Sequence, residues 1–513
     1  MVLAAVRFLT LLAAVCWSGL SIGAESPFAI HIIDEETGRG VPLVELKGTP
    51  DQVYVTDSNG YIAIDDPTLM NQRVYFHIFS HGYEHPKDRM FGYRGAAFLV
   101  KAGGEQTVKI KRINIAQRLY RITGAGIYRD SVKLGKEVPI EKPVLNAQVC
   151  GQDTVQTVVK GDRIYWFWGD TDRLAHPLGQ FNTSGATSKL PSAGGLEPSK
   201  GIDLEYFVGD DGFSRTMFQR ENGVLIWVHG AFGVEDPTGN LRVMTHYSRR
   251  KGLAEELSAG MAILNEQTNQ FEHVLDCTSP DRPYPRGQSF RVKDGEAEYI
   301  AFATPYPLVR VAATWEAVND PSQWEAFTPL KPGSSLKKRE QPEFDRRADG
   351  TLNWAWKKNS PVLDAGRARK LFDSGQLKEG ENWFRTVNAK DGSPVQLHAG
   401  SVKWNDYRKR WILIAHETFG KPSFLGEVWY SEAKSPEGPF HKAVKIVTHE
   451  NYSFYNVTQH DFFDQEGGRV VYFEGTYTAA FANDPTPTPW YDYNQMMYSL
   501  DLSDERLRPA FVE

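Results

Sequence analysis

Five times along this chain a strand-forming run, a short polar turn and an aromatic-rich strand follow one another, and the second strand ends in an acid, a histidine or an alanine-capped aromatic stretch. The clearest copy covers 152–159, turns at Gly161-Asp162-Arg163, and returns as Ile164-Tyr165-Trp166-Phe167-Trp168 into Gly169-Asp170-Thr171-Asp172. Antiparallel strands joined by a tight turn bring the start of the first and the end of the second to one sheet edge. Asp153 and Asp170 are therefore expected to face one surface. The other copies are read at 214–219 with 224–229, 287–292 with 298–303, 399–404 with 411–417, and 458–463 with 469–474. Outer strands follow several of them, for example at 428–433 and 495–500. Inner pairs with outer pairs, repeated about an axis, describe a β-propeller, here with five blades, whereas a parallel β-helix would repeat at a far shorter period.

The chain has 513 residues, 41% hydrophobic and 12% aromatic, enough for a large core and against disorder. Its formal charge of −6 and the lack of a basic stripe give a nucleic-acid partner no electrostatic support. Residues 1–24 read as a secretory signal peptide: Arg7, an apolar run over 8–17, then Ser21-Ile22-Gly23-Ala24. Cleavage after Ala24 would leave a secreted or periplasmic protein with no later membrane-inserting run. Beyond Cys16 in that leader, only Cys150 and Cys277 remain, and a disulfide and two separate thiols both stay open.

Apart from Trp17, every tryptophan lies at or beyond Trp166, which divides the chain. Over 26–112, short alternating strands (28–33, 53–55, 61–64, 73–78, 107–110) are punctuated by turns such as Asp57-Ser58-Asn59-Gly60, the pattern of a small antiparallel β-sandwich. Through Asp34-Glu35-Glu36-Thr37-Gly38-Arg39-Gly40-Val41-Pro42 and Thr56-Asp57-Ser58-Asn59-Gly60-Tyr61 this part resembles the prealbumin-like (carboxypeptidase regulatory-like) sandwiches of exported enzymes. A connector over 113–145 leads to the propeller at 146–513, with an insertion at about 330–396 that holds a helical stretch near 365–372 and Trp354, Trp356 and Trp383. The expected fold class is all-β, a five-bladed β-propeller preceded by a small antiparallel β-sandwich.

The larger part resembles the five-bladed propeller glycoside hydrolases, the arabinanase, xylosidase, levansucrase and anhydro-galactosidase group. Gly151-Gln152-Asp153, Phe167-Trp168-Gly169-Asp170-Thr171, and the segment from Tyr430-Ser431-Glu432 to Gly438-Pro439-Phe440 carry the resemblance. It implies an acid at the first blade start acting as base, a proton donor on a later blade, and a third acid that orients them. Cleaving a glycosidic bond needs two carboxyls of different proton affinity. Asp153 is the candidate base or nucleophile, against a plain turn-capping role. Glu417 follows the apolar Ile412-Leu413-Ile414-Ala415 and is the first candidate donor, with a rim ion pair as its structural alternative. Glu474 is the rival donor one blade on, although Phe473-Glu474-Gly475-Thr476 only approximates the motif that flags that residue in the group. Asp170 is the third carboxylate.

Around the same mouth, His229, Arg286, Gln288, Tyr306, His398 and His460 are candidate substrate contacts. His398 and His460 could hold a sugar hydroxyl, an axial water or a metal, or be satisfied structural residues. Arg286 and Arg215 would suit an acidic sugar. Trp168, the insertion tryptophans and Tyr306 could stack on sugar faces. No cofactor is expected, while an axial divalent cation such as calcium is compatible with the architecture. There is no phosphate-cradling loop, His-Glu-x-x-His pair or nucleophile elbow. The reading is an exported enzyme with a carbohydrate partner, a glycoside hydrolase. Its alternatives are a non-catalytic glycan-binding or cell-envelope propeller and a polysaccharide lyase using the histidines with Tyr306.

Overall fold

Period-two burial organises the first segment. The computed structural model describes residues 26–253, 255–277, 283–336 and 342–513, so the leader read at 1–24 lies outside the described residues. Phe28–Asp34 pairs antiparallel with Tyr61–Ile64 and parallel with Glu105–Arg112, whose other edge meets Tyr83–Glu84. A second four-stranded sheet orders Val53–Val55, Glu45–Lys47, Arg73–Phe79 and Gly95–Leu99. Ile30, Ile32, Leu46, Ile62, Phe76 and Ile110 from the two sheets share one apolar core. The Asp57 turn closes because Gly60 sits at φ +80° with its Cα hydrogens against Ile32, where a Cβ would lie 2.5 Å from the Ile32 carbonyl oxygen.

Among the described residues six further sheets follow: the three-stranded Val149–Gln152, Thr171–Arg173 and Gly179–Gln180, and five larger ones, numbered I–V, each built of antiparallel neighbours at its centre. Sheet I contains Gln156–Lys160, Arg163–Trp168, Ser184–Lys189 and Glu205–Tyr206, and sheet II Leu225–Glu235, Leu241–Lys251, Glu255–Asn265 and Gln270–Asp276. Sheet III runs Gln288–Asp294, Ala297–Ala303, Pro307–Ala312 and Glu325–Thr328, extended by Ala355–Lys358. Sheet IV runs Leu397–Asn405, Arg410–Glu417, Val428–Ala433 and Lys442–Val447, with Thr386–Asn388 and Pro394–Val395 on its edge. Sheet V is Ser453–Gln459, Val470–Thr478 and Asn494–Asp501.

The first strands of successive sheets are tied by hydrogen bonds. The Ala231 amide donates to Gln156 Oε1 (3.1 Å), Ser289 Oγ to the Ala231 carbonyl (2.7 Å), Lys403 Nζ to the Ser289 carbonyl (3.1 Å), and the Gln459 amide to Ser401 Oγ (2.8 Å). The Thr154 amide, donating to Thr476 Oγ1 at 3.2 Å, links sheet V back to the entrance of sheet I. Gln288 Nε2 reaches across to the Val155 carbonyl at 2.8 Å.

Three sequence expectations change. Residues 214–219 form isolated bridges, and Leu225–Glu235 is the first strand of sheet II, paired with Leu241–Lys251. In the last couplet the strand begins at Ser453, five residues before the expected start, and 461–463 is a short helical turn. The stretch read as a connector supplies Gln117–Arg121 as the outermost strand of sheet V, antiparallel to Asn494–Asp501. The helical reading near 365–372 corresponds to Ala365–Asp373, capped by Asp364, whose carboxylate accepts the Arg367 amide at 2.8 Å. Cys150 and Cys277 are both free thiols.

That extra strand carries Arg118, 1% exposed, whose guanidinium donates to the carbonyls of Pro42 (3.0 Å), His81 (3.2 Å) and Leu43 (3.3 Å) and to Ser80 Oγ (2.5 Å). One buried cation thus satisfies acceptors from the N-terminal sheets while standing on sheet V. Arg118→Ala is expected to lower unfolding stability by about 3–5 kcal/mol, since it orphans several buried carbonyls at once. Denaturant titration checks this, and a loss below about 1 kcal/mol would contradict it.

Candidate active site

Asp153 ends the short run Val149–Gln152, which pairs with Thr171–Arg173, so this hairpin brings Asp153 and Asp170 side by side as the turn geometry requires. The Gly169 amide donates to the Asp153 carbonyl at 2.8 Å and the Asp170 amide to Asp153 Oδ1 at 3.1 Å. Tyr455 donates its hydroxyl to Asp153 Oδ2 at 3.1 Å, and the Tyr493 hydroxyl also bonds this carboxylate. Burial pushes the Asp153 carboxyl up, and these donors oppose the push.

Asp170 is treated differently. Its Oδ1 accepts the Trp227 indole N–H at 2.9 Å, and its carboxyl is pushed up to about 7 by burial first and then by the negative charge of Asp153. The negative charge of Asp153 thus favours the protonated form of its neighbour. Asp172, on the same edge, is raised by burial, Asp492 and Asp153.

The backbone around the pair is strained. Thr154, Asn456 and Tyr493 have φ of 51°, 53° and 59°, which is costly for residues bearing a Cβ and most so for β-branched Thr154. Asn456 Nδ2 pins Thr154 Oγ1 at 2.6 Å. Below the pair, fully buried Gln152 donates to Thr171 Oγ1 (3.2 Å) and Ser184 Oγ (2.7 Å) and accepts from the Tyr206 hydroxyl (2.8 Å), which fixes the strand that presents Asp153. Gly169 leaves the room that the carboxylate occupies: a Cβ there would lie 2.3 Å from Asp153 Oδ1. Gly169→Ala should displace that carboxylate and lower any activity of the site by about 10- to 100-fold while the melting transition persists. Wild-type turnover by this variant would show that the pair is not the working centre.

A cavity of about 1370 Å³ is bounded by sheets II, III and IV, with His246, Arg286, Tyr306, His398 and Glu417 in its wall. Its volume lies above the usual range of small-ligand pockets. Glu417 is half-buried, accepts the Trp429 indole N–H on Oε2 at 2.8 Å, and is raised by burial. His398 Nδ1 lies 3.1 Å from His416 Nε2, and burial lowers the affinity of both rings for a proton.

Asp153 and Asp170 adjoin each other, Trp227 links Asp170 to the strand that carries His229, and Arg286, His398 and Glu417 share the cavity wall, whereas several other candidates are buried in the core or committed elsewhere. Glu474 is completely buried, its Oε1 2.6 Å from Nε2 of equally buried His460, in a layer that also holds Trp166 against the His460 ring. The physical reason is register: Glu474 pairs with Thr458 and Met497 mid-strand, and the strand runs on to Thr478, so the mouth is reached at 476–478. Trp168 is fully buried and packs on Trp166 and Tyr206. Trp354 and Trp383 flank Phe327, and Trp356 and Trp383 spend their indole N–H groups on Glu437, so these rings form core. Arg215 bonds the carbonyls of Thr268 and Asn269 at the outer turn of sheet II. Gln288 is committed to the Val155 carbonyl. Tyr306 is 3% exposed, bonds Thr386 Oγ1 at 3.0 Å and is pushed up to about 12 by burial, which disfavours it as a base.

Sequence reasoning missed Trp227, His246, Tyr455 and Tyr493. Starting the fifth couplet at Ser453 would have placed Tyr455 at the mouth, and reading 225–235 as a first strand would have paired His229 with His246. Among the described residues no group of three or more His, Cys, Asp and Glu side chains is placed to hold a metal ion, and no helix is long and apolar enough to cross a membrane.

No protein-family model and no curated protein matches the chain. Solved structures to which it is similar are carbohydrate-active enzymes. An N-acetylgalactosamine deacetylase from F. plautii, in complex with blood group B trisaccharide, shares 10% identity over 77% of this chain and 98% of its own, with a TM-score of 0.37. An exo-1,5-alpha-L-arabinanase from a bovine ruminal metagenomic library shares 10% over 69% and 94% (TM-score 0.32), and an alpha-L-arabinofuranosidase from Fusarium graminearum 13% over 76% and 98% (TM-score 0.32). At these identities and scores no substrate and no residue role transfers from them.

Proposed function

We propose that this protein is an exported glycoside hydrolase in which Asp153 and Asp170 are the acid/base pair, set at the mouth of a five-bladed β-propeller formed by sheets I–V. The N-terminal sheets are an accessory β-sandwich over 26–112, joined by 113–145 to the propeller at 146–513. The observation that supports the reading best is the contrast between two adjoining carboxyls. Burial raises both carboxyls, but Asp153 collects an amide and two tyrosine hydroxyls, all of which favour its anion, whereas Asp170 receives one indole N–H and is held up to about 7.

In this mechanism Asp170 delivers its proton to the departing glycosidic oxygen. Asp153, ionised, either removes a proton from the attacking water or attacks the anomeric carbon itself. The tyrosines hold the Asp153 carboxylate in one orientation, and the Trp227 indole aims Asp170. Glu417, on the far wall of the cavity and tied to Trp429, takes the part of a substrate-contacting acid rather than the donor. His398 and Arg286 line the space in which the glycan would lie.

Incubating the purified chain with a panel of polysaccharides and measuring new reducing ends tests the reading. Release from at least one glycan supports it. Tight glycan binding without release from any would favour a binding protein instead.

A further inference from the structure

His229 and His246 stand directly opposite each other on the first two strands of sheet II, ring centroids 5.9 Å apart, and Tyr284 lies parallel to His246 at 5.9 Å. His246 is 1% exposed, lines the large cavity, and its Nδ1 is buried with no hydrogen-bond partner. An orphaned ring nitrogen of this kind is costly unless a ligand atom meets it. The exposed Arg286, at the start of sheet III, shares the cavity wall with His246, and its charge lowers the proton affinity of both rings. Gly287 presents it there: at φ +80° its Cβ would lie 1.9 Å from the Ala303 carbonyl oxygen, so only glycine permits this turn.

The position relative to the acid pair is set by one strand. Trp227, which bonds Asp170, and His229 are two residues apart on the same face of Leu225–Glu235, a separation of about 6–7 Å along a β-strand. That is about one sugar ring.

We infer that His246, His229 and Arg286 form a subsite for an anionic group, carboxylate or sulfate, on the sugar unit next to the bond that Asp153 and Asp170 cleave. A guanidinium offers planar two-point donation to an oxyanion, and the His246 ring adds a donor at its unpaired nitrogen. Burial and the nearby Arg286 keep both imidazoles uncharged, His229 with its proton affinity pushed down to about 4. Arg286 therefore supplies the positive charge of the subsite and the rings supply neutral N–H donors. The inference deepens the hydrolase reading and rests on it for the word "next", whereas the subsite itself is read by binding alone.

The test is calorimetric titration of the full chain with three tetrasaccharides: galacturonate (carboxylate), a sulfated galactan (sulfate) and neutral galactan. Expected are at least tenfold tighter binding of one charged probe than of the neutral one, and a fall of that ratio to near unity in Arg286→Ala. The charged probe that is preferred identifies the group as carboxylate or sulfate. Equal affinity for charged and neutral probes, binding of none, or a preference that survives Arg286→Ala would each overturn the subsite. Adding Asp153→Asn separates the two claims: if it binds the charged probe as wild type does, and wild type releases no reducing ends, the hydrolase reading fails while the subsite stands.

Discussion

Asp153→Asn is expected to lower the rate of glycan cleavage by about 10³-fold or more without unfolding the protein, because the substitution removes the charge that activates water or attacks carbon. The amide keeps the shape of the carboxylate, and its single oxygen can still accept either the Asp170 amide or the Tyr455 hydroxyl. With its charge gone, Asp170 loses the neighbour that helps hold its own proton, so its carboxyl should titrate at lower pH. Steady-state kinetics and a thermal melt read both sides of the expectation. A loss below tenfold would remove Asp153 from the mechanism.

Asp170→Asn is expected to cost about 10²- to 10⁴-fold on a natural glycan and far less on an aryl glycoside whose leaving group needs no proton. That split distinguishes a proton donor from an acid that merely tunes its neighbour. The wild-type rate should fall as pH rises through about 7, where the donor loses its proton, and this alkaline limb should vanish in the variant. Stability carries the same signature with a defined sign. The folded carboxyl is raised from 3.8 to about 7, so between those values the native state holds a proton that the unfolded state has released. Its contribution is favourable to folding only at low pH and is lost as pH rises toward 7. Asp170→Asn should therefore stabilise the protein at pH 8 by about 2–4 kcal/mol relative to its effect at pH 4. An unchanged leaving-group dependence, or a variant equally stable relative to wild type at both pH values, would sink the assignment. Such a cost at a working site is the ordinary exchange of stability for function.

Glu474 and Asp170 show how far local pattern reaches. Both end the second strand of an aromatic couplet, and the alternation of side chains makes them look equivalent. The first hairpin is pinned by a tight turn at Gly161, so the pairing of Val158 with Tyr165 and the placement of Asp153 beside Asp170 follow from a few residues. The last hairpin has a helical turn between its strands and begins five residues earlier than its polar turn implies, which leaves Glu474 inside the protein bonded to His460. A strand's period of two says which residues share a face, but not how far along the strand the mouth lies.

The tryptophans divide in the same way. Trp168 and Trp227 are both strand residues near the mouth, yet Trp168 packs wholly against Trp166 and Tyr206, and Trp227 turns its indole N–H to Asp170. Nothing in either short sequence separates them, because the difference lies in which neighbouring sheet covers each ring.

By itself the sequence determined the features that arise within a hairpin's length: all-β architecture, five of the eight strands of the N-terminal sheets, four of the five sheet-starting turns, and the adjacency of Asp153 and Asp170. Tertiary structure alone decided the contacts made across hundreds of residues: Gln117–Arg121 completing sheet V, Arg118 bound to the N-terminal carbonyls, Tyr455 and Tyr493 on Asp153, and the burial of Glu474. The physical reason is that turn geometry and side-chain alternation act over a few residues. Proton affinity and burial depend instead on desolvation by whichever distant strand packs overhead.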